Sequence, residues 1–337
     1  AQGTNTPGSV VITVALGRSQ EGITFMFPEA KKGVWKNYPI IQGLRELHPT
    51  SIHRTPDGLL WIGTDQSFHY AYDGVEFKMI ASAPEIGGSE ILAMKHAADG
   101  TLWIGTSGGV SQHVGGRTQS LPFGETLARK QVNDILTDPD GTVWFATASG
   151  LCKYDGRSFV TFTVTNGLPS NTINSLLRAG DGTLWIGTGN GLAHFDGQSF
   201  TELQPVRGVG DRSVAKLHQA RDGAVWFVAT HTGGAFRYDG KAFSRLGVEN
   251  GLLSDVIYDI AETSDGALWF ATGLGLSKFN GTTVVNYLEE DGLSNRWVRD
   301  IFVDSDDVLW CANGWGVSRF DPKGFLQVRR EMFFHFC

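Results

Sequence analysis

Three columns of variable residues lie at fixed distances from a series of evenly spaced tryptophans. They fall fourteen and thirteen residues before each tryptophan and five residues after it, and their residue types change between repeats while neighbouring columns stay nearly constant. Constant columns build a repeat scaffold, and variable loop columns are where such scaffolds place ligand contacts. We therefore predict a binding site formed by Lys130, Gln131, Asn171, Asn190, Arg212, His231, Arg296, Trp297 and Trp315.

Trp297 and Trp315 are additional to the repeat tryptophans and fall in two loops of one repeat, beside Arg296. An exposed indole pair offers apolar faces to the C–H side of a sugar ring, and Arg, Asn and Gln side chains donate hydrogen bonds to hydroxyl or carboxylate groups. The pattern favours a small polar ligand, and among these a carbohydrate. The alternative is that both indoles fill space between repeats.

Three residues near the same loops could instead transfer protons. In a lyase acting on uronic acid sugars, His231 would remove the proton α to the carboxylate, Arg212 would neutralise the carboxylate and Tyr258 would be the acid. The same side chains serve equally as hydrogen-bond donors, and the sequence lacks G-x-S-x-G, H-E-x-x-H and Cys/His motifs. Ligand binding is the preferred interpretation, with a lyase and a protein-interaction scaffold as alternatives.

The loops that carry these residues belong to a repeated unit. Its tryptophans recur at intervals of 42, 41, 41, 41, 43 and 41 residues, at Trp61, Trp103, Trp144, Trp185, Trp226, Trp269 and Trp310. Six of them follow an Asp-Gly pair that suits a tight hairpin, because glycine tolerates a positive φ. A period of about 40–45 residues with four strand-sized segments is typical of a β-propeller blade. The sequence therefore predicts an all-β propeller of four-stranded antiparallel blades, with the repeat tryptophans in the core.

The number of blades depends on the two ends of the chain. The strict repeats span about 49–321, and strand-like segments at 9–38 and 325–336 remain. Joining these segments would make an eighth blade and remove the free sheet edges. We therefore predict one propeller domain over 1–337 with eight blades, closed by N-terminal and C-terminal strands. A seven-bladed ring with an N-terminal hairpin outside it is the alternative.

Charged residues also recur ten residues before four of the tryptophans, on the predicted innermost strands. They are Asp134, Lys216, Asp259 and Asp300. Side chains at this position point mainly between blades, so we predict hydrogen bonds or ion pairs between blades rather than a site in the channel.

The amino-acid composition argues against several classes of binding partner for this protein. The net charge is −7 and no cluster of Lys or Arg occurs, which argues against nucleic acid. The sequence contains no stretch of about 18 apolar residues, which is the length needed to span a membrane. The three cysteines, Cys152, Cys311 and Cys337, do not form a metal-binding or disulfide pattern, and we expect no metal and no cofactor. The polar start AQGTNTPGS resembles a chain after signal-peptide removal, which favours a periplasmic or secreted protein.

The repeat as a whole resembles that of the two-component-regulator propellers, the periplasmic sensor propellers of bacterial hybrid histidine kinases. The fullest copies are residues 132–172 and 173–213, which contain TVWFATASGLCKYDGRSFVTFTVTNGLPSN and TLWIGTGNGLAHFDGQSFTEL. The resemblance implies a sensor domain, with the signalling domains absent from this chain. We therefore expect a free-standing exported propeller or an excised domain of a receptor. Propeller lyases acting on uronic acid sugars and on streptogramins resemble it in architecture only.

Overall fold

Each tryptophan repeat folds into one antiparallel sheet with its tryptophan on the second strand. The structure is a computed structural model that describes residues 9–15, 22–28, 33–39, 48–66, 68–81, 86, 90–120, 130–203, 213–229, 233–314 and 316–324. Seven of its sheets have four strands, and they form the blades of a ring. The predicted fold class, an all-β propeller with four-stranded antiparallel blades, is confirmed.

The strands are numbered in chain order. The first three are β1 (Ser9–Ala15), β2 (Gly22–Pro28) and β3 (Val34–Pro39). The first blade contains β4 (Pro49–Arg54), β5 (Leu60–Thr64), β6 (His69–Tyr72) and β7 (Phe77–Ala81). The second contains β8 (Ile91–His96), β9 (Leu102–Thr106), β10 (Gly109–Val114) and β11 (Arg117–Ser120). The third contains β12 (Val132–Thr137), β13 (Val143–Thr147), β14 (Gly150–Tyr154) and β15 (Phe159–Phe162).

The remaining blades follow the same order from the innermost strand outward. The fourth contains β16 (Ile173–Arg178), β17 (Leu184–Thr188), β18 (Gly191–Phe195) and β19 (Phe200–Leu203). The fifth contains β20 (Val214–Gln219), β21 (Val225–Ala229), β22 (Ala235–Tyr238) and β23 (Phe243–Leu246). The sixth contains β24 (Ile257–Glu262), β25 (Leu268–Thr272), β26 (Gly275–Phe279) and β27 (Val284–Tyr287). The seventh contains β28 (Val298–Val303), β29 (Leu309–Asn313), β30 (Gly316–Asp321) and β3.

The connections that enter the fourth, sixth and seventh blades each contain one turn of 3-10 helix. These turns are Val164–Asn166, Val248–Asn250 and Glu289–Asp291. Each ends at a glycine in the left-handed region, such as Gly167 with φ 101°. That conformation favours glycine, and it turns the chain toward the innermost strand of the next blade.

The ring closes at seven blades because β3 supplies the outer strand of the last one. In this strand Trp35 packs against Phe320 at 4.8 Å between ring centroids, and Tyr38 packs against Trp310 at 6.1 Å. The innermost strand β28 also contacts β4 of the first blade. Pairing strands from both ends of the chain in one sheet ties the ring shut.

The preferred prediction of eight blades is therefore wrong, and the alternative of seven is correct. The strands β1 and β2 pair with each other in a two-stranded sheet, from Ser9 opposite Pro28 to Ala15 opposite Gly22. They belong to a different unit from the ring, which occupies Trp35–Phe320. The predicted C-terminal closing segment, 325–336, lies outside the described residues. The prediction placed the three N-terminal strands in one blade with a C-terminal strand. Their observed pairing assigns only β3 to the ring.

The core lies between successive blades. The Trp185 side chain of the fourth blade is 7% exposed and packs with Val214, Val225 and Phe227 of the fifth. All seven repeat tryptophans are at most 7% exposed, which confirms their predicted place in the core. Each blade thus buries its face against its neighbour, because a single four-stranded sheet cannot cover both faces alone.

Candidate functional site

One face of the ring, called the loop face below, carries the turns between second and third strands and the connections into the innermost strands. In five blades a backbone hydrogen bond of 2.7–3.2 Å joins the two kinds of loop: Asp65 N–H to His48 O, Ser107 to Glu90, Ala148 to Gln131, Gly189 to Thr172 and Gly314 to Trp297. The variable columns before and after the tryptophans therefore meet on this face.

At the mouth of the central channel, side chains of the seventh and second blades approach each other. The guanidinium carbon of Arg299, on β28, lies 4.5 Å from the centroid of the Trp297 ring. Nη1 of Arg299 lies 3.9 Å from Oε1 of Glu90. Because the first blade separates the seventh from the second, the ion pair reaches across the mouth. It brings an indole, a guanidinium and a carboxylate together on the loop face.

Trp297 differs from the repeat tryptophans in its exposure. Its side chain is 42% exposed, and Leu274 of the neighbouring sixth blade is 45% exposed on the same face. A tryptophan that filled a gap between blades would be buried as Trp185 is. This exposure argues against Trp297 as a side chain that only fills space between blades. An indole held at an accessible mouth is available to a ligand.

One residue further along the innermost strands than Arg299 lies a set of charged side chains, Lys216, Asp259, Asp300 and Asp134, which is called the floor of the mouth below. Nζ of Lys216 lies 3.4 Å from Oδ1 of Asp259 and 3.6 Å from Oδ1 of Asp300. Burial lowers the pKa of Lys216, but Asp259, Asp300 and Asp134 together outweigh it and raise this pKa. Burial, and then the charge of Asp259, raise the pKa of Asp300. The floor is thus a compact set of opposite charges from the third, fifth, sixth and seventh blades.

The carboxylates of this floor also join neighbouring blades. Asp134 Oδ2 accepts the Leu176 backbone N–H at 2.8 Å, Asp259 Oδ2 accepts that of Ile301 at 3.0 Å, and Asp300 Oδ2 accepts that of Ile52 at 2.7 Å. A register shift directly precedes this position in these innermost strands. The predicted structural role of these residues between blades is confirmed.

The structure spreads the predicted site residues around the ring. Lys130 and Gln131 belong to the third blade, Asn171 and Asn190 to the fourth, Tyr258 to the sixth, and Arg296 and Trp297 to the seventh. Three further predicted residues, Arg212, His231 and Trp315, lie outside the described residues, so the predicted indole pair and the grouping of His231 and Arg212 with Tyr258 stay predictions. Among the described members, Trp297 is the one drawn into the contact across the mouth.

Several predicted residues have structural roles in the loops. Asn171 Oδ1 accepts the Val164 N–H at 2.9 Å and holds a 3-10 turn in place. Gln131 Nε2 donates to Asn133 Oδ1 at 2.7 Å, and the Asn133 amide donates to the Ile173 carbonyl of the next blade at the same distance. These side chains brace loops on the loop face.

Sequence reasoning missed Arg299 and Asp65, and it did not select Glu90 although Glu90 stands in the column thirteen residues before Trp103. Asp65 Oδ2 lies 2.9 Å from His48 Nδ1, and its other oxygen accepts the His48 backbone N–H at 3.2 Å. Arg299 occupies the column eleven residues before the tryptophan, where Tyr258 stands in the sixth blade. That column varies as much as the columns used for prediction, so it could have been included.

Large grooves also occur on the face opposite the loop face. Grooves of 530–750 Å³ separate blades one and two, two and three, three and four, and five and six. Each is lined by hairpins of the repeat and has a repeat tryptophan at its base. Because the same scaffold residues form them repeatedly, they follow from blade stacking and do not single out a site.

Among the described residues, no group of three or more His, Cys, Asp or Glu side chains is arranged to hold a metal ion. The part of the chain that the structure describes contains no helix long and apolar enough to cross a membrane.

His53 of the first blade stacks near His96 at 6.1 Å and meets Phe302 edge to face at 6.2 Å between ring centroids. Its Nε2 is buried and has no hydrogen-bond partner among the described residues. Burial, and then the charges of Lys95 and His96, lower the pKa of His53 from 6.5 to about 3. Protonation of His53 is therefore unfavourable in the folded protein, whereas in the unfolded chain His53 is protonated below pH 6.5.

We expect His53 to make the protein less stable in mild acid. Because its pKa is depressed on folding, its contribution to stability is lost progressively as the pH falls below 6.5, at roughly 1.4 kcal/mol per pH unit, or about 2 kcal/mol at pH 5. His53→Phe removes this titration, and Phe302 stands at the same column of the seventh blade. Urea denaturation at pH 7 and pH 5 should show a smaller loss for His53→Phe than for the wild type. Equal losses in the wild type and in His53→Phe would contradict the assignment.

The repeats are also found in known proteins. Residues 126–149, 167–190 and 251–273 match the family model described as two component regulator propeller. The chain carries two-component regulator propeller repeats. The match confirms the resemblance seen in the repeat itself, and no curated protein matches the sequence.

Solved structures share the fold of these two-component regulator propeller repeats. Two are extracellular domains of hybrid two component systems from B. thetaiotaomicron. One is 22% identical over 86% of this chain and 39% of its own, with a TM-score of 0.73. The other is 19% identical over 89% of this chain and 42% of its own, with a TM-score of 0.77. Virginiamycin B lyase from Staphylococcus aureus is 13% identical over 86% of this chain and 99% of its own, with a TM-score of 0.70. The chain therefore spans about two fifths of the length of the two extracellular domains.

Proposed function

We propose that the chain is an exported sensor-type propeller that binds a small polar ligand, a carbohydrate, at the channel mouth on the loop face. The observation that carries this proposal is the contact of Arg299 with the Trp297 ring on one side and with Glu90 across the mouth on the other. An accessible indole face suits the C–H side of a sugar ring, and the charged groups beside it suit hydroxyl or carboxylate groups.

Further charged side chains on the innermost strands support the binding of a polar ligand. The charged floor of Lys216, Asp259 and Asp300 lies one residue further along the innermost strands than Arg299. A ligand entering from the loop face would therefore find charged groups near the indole. Concave sites with a few convergent polar groups are the usual form of small-ligand sites.

Export and a sensor role are supported by the family repeats and by the extracellular source of two structures with this fold. In such a receptor the propeller would report ligand binding to signalling domains elsewhere. The carbohydrate itself is inferred from the chemistry of Trp297 and its neighbours, because the likeness to these structures concerns the fold.

A glycan screen tests the proposal. We expect one or more neutral or acidic oligosaccharides to raise the melting temperature of the protein and to give a binding curve by calorimetry. Trp297→Ala should weaken that binding at least about tenfold, because truncation of an aromatic hot-spot residue costs about 2 kcal/mol or more and about 1.4 kcal/mol is a factor of ten. Met79→Ala is the matched control, since Met79 is 57% exposed on the outer strand of the first blade, away from the mouth. Unchanged affinity in Trp297→Ala would place the site elsewhere.

A second candidate function, proton transfer by a lyase, is favoured by the pair of His48 and Asp65. Asp65 accepts a hydrogen bond from His48 Nδ1–H at 2.9 Å, which leaves Nε2 as the nitrogen able to exchange a proton. The His48 side chain is 42% exposed on the loop face. Absorbance of an unsaturated uronate product would detect turnover, and its loss in His48→Gln with ligand affinity retained would support catalysis.

A further inference from the structure

We propose that the ligand at the mouth bears a carboxylate, as a uronic acid sugar does, and that Glu90 occupies the place of this carboxylate when no ligand is bound. The inference rests on the proposed function, because it concerns the same mouth. It specifies the chemical class of the ligand and assigns an internal competitor for the binding site.

The first argument is that Arg299 has unused hydrogen-bond donors. A guanidinium carries five N–H groups in one plane, and its face is already used against Trp297 at 4.5 Å. The one carboxylate near it is 3.9 Å from Nη1, beyond the distance of an N–H···O hydrogen bond. Among the described residues, Arg299 therefore has a stacked face and an edge that donates no hydrogen bond.

The second argument is that Glu90 is anchored by its backbone and not by its side chain. The Glu90 N–H donates to Ser107 Oγ at 3.1 Å, and its carbonyl accepts the Ser107 N–H at 2.9 Å. Its carboxylate is 40% exposed and has the distant Arg299 as its ionic partner within the described chain. Such a long ion pair, with a carboxylate that is 40% exposed, contributes little energy, so the carboxylate can leave the guanidinium readily.

The third argument is geometric. A carboxylate arriving from solvent can accept two parallel N–H groups from the edge of Arg299, a stronger arrangement than the single long contact with Glu90. The exposed part of Trp297 then lies beside the ring that carries this carboxylate. A neutral sugar would use the indole but would leave the Arg299–Glu90 pair in place. The site is thus built to prefer the acidic sugar.

The test compares two disaccharides that differ only in one group, cellobiouronic acid and cellobiose, by calorimetry at low salt. We expect the wild type to bind cellobiouronic acid more tightly than cellobiose. Added salt should weaken the binding of the acid and leave the binding of cellobiose unchanged. Glu90→Gln removes the competing charge and should tighten acid binding about fivefold, with cellobiose unchanged. Arg299→Met should weaken acid binding at least about tenfold and abolish the preference.

Arg319→Met is the matched control, because Arg319 also lies over a tryptophan, 5.7 Å from the Trp310 ring, but on the third strand of the seventh blade. It should bind both disaccharides as the wild type does. Equal binding of the two disaccharides, or no effect of Glu90→Gln on the acid, overturns this inference and leaves the proposed function standing. Binding of a neutral glycan in the screen, with no binding of any acidic glycan, also overturns this inference and leaves the proposed function standing. Failure of every glycan to bind overturns both.

Discussion

Replacing Trp185 by alanine should lower the free energy of unfolding by roughly 3–5 kcal/mol, the range seen when a large aromatic side chain is removed from a core. The Trp185 side chain is 7% exposed and lies among buried residues of the fourth and fifth blades, including Val214 and Phe227. Its ring also approaches that of Tyr238 at 5.8 Å. Truncation leaves a cavity between two sheets, and the stiff strands on both sides restrict how far they can move to fill it.

Chemical denaturation measures this effect, and the chain provides its own control. Trp297→Ala makes the same substitution at a side chain that is 42% exposed, so its loss of stability should stay below about 1 kcal/mol. A loss below about 1 kcal/mol in Trp185→Ala would show that the repeat tryptophan is not a core residue. A large loss in Trp297→Ala would show that this indole packs after all, and would remove the support for the binding site.

Replacing Lys216 by methionine should lower the free energy of unfolding by about 3 kcal/mol at pH 7. The substitution keeps most of the side-chain volume but leaves Asp259 and Asp300, whose side chains are 11% and 13% exposed, without their cation. Removing one partner of a buried ion pair costs about 3–5 kcal/mol. The lower end applies because 37% of the Lys216 side chain is open to the channel.

The deficit of Lys216→Met should shrink as the pH falls from 7 to 5. Burial and then Asp259 already raise the pKa of Asp300, and losing the ammonium raises it further. The folded variant then binds protons that the unfolded chain does not, and stability rises with falling pH wherever the folded state binds more protons. Denaturation at several pH values gives this trend, and a deficit that grows in acid would contradict it.

An exposed lysine between two carboxylates separates this effect from a general loss of charge. Lys78 Nζ lies 3.2 Å from Asp73 and 3.0 Å from Glu76 on the outer hairpin of the first blade. Solvent screens such pairs, so Lys78→Met should leave the free energy of unfolding nearly unchanged. A similar loss in both variants would mean that burial is not the cause.

The candidate site shows where prediction from a repeat succeeds and where it fails. The variable columns identified Trp297 because a local deviation from the repeat is visible in the sequence alone. They did not identify Glu90 and Arg299 as partners, because these residues are distant in sequence and meet only across the closed ring. Asn171 and Gln131 stand in equally variable columns, yet their amides brace the loops.

The sequence by itself determined the all-β propeller, the hairpins and the core between blades. These features depend on local residues repeated at a fixed interval, such as Gly182, which adopts φ 87° in its hairpin, and Trp185 three residues later. Only the tertiary structure decided the number of blades and the partners at the mouth. Ring closure depends on which terminal strand pairs with β30, and the strand-like segments at the two ends are equally capable of forming a sheet. The contacts at the mouth depend on the rotation between successive blades. This rotation sets how many blades close the ring, and it brings the second and seventh blades within reach of each other.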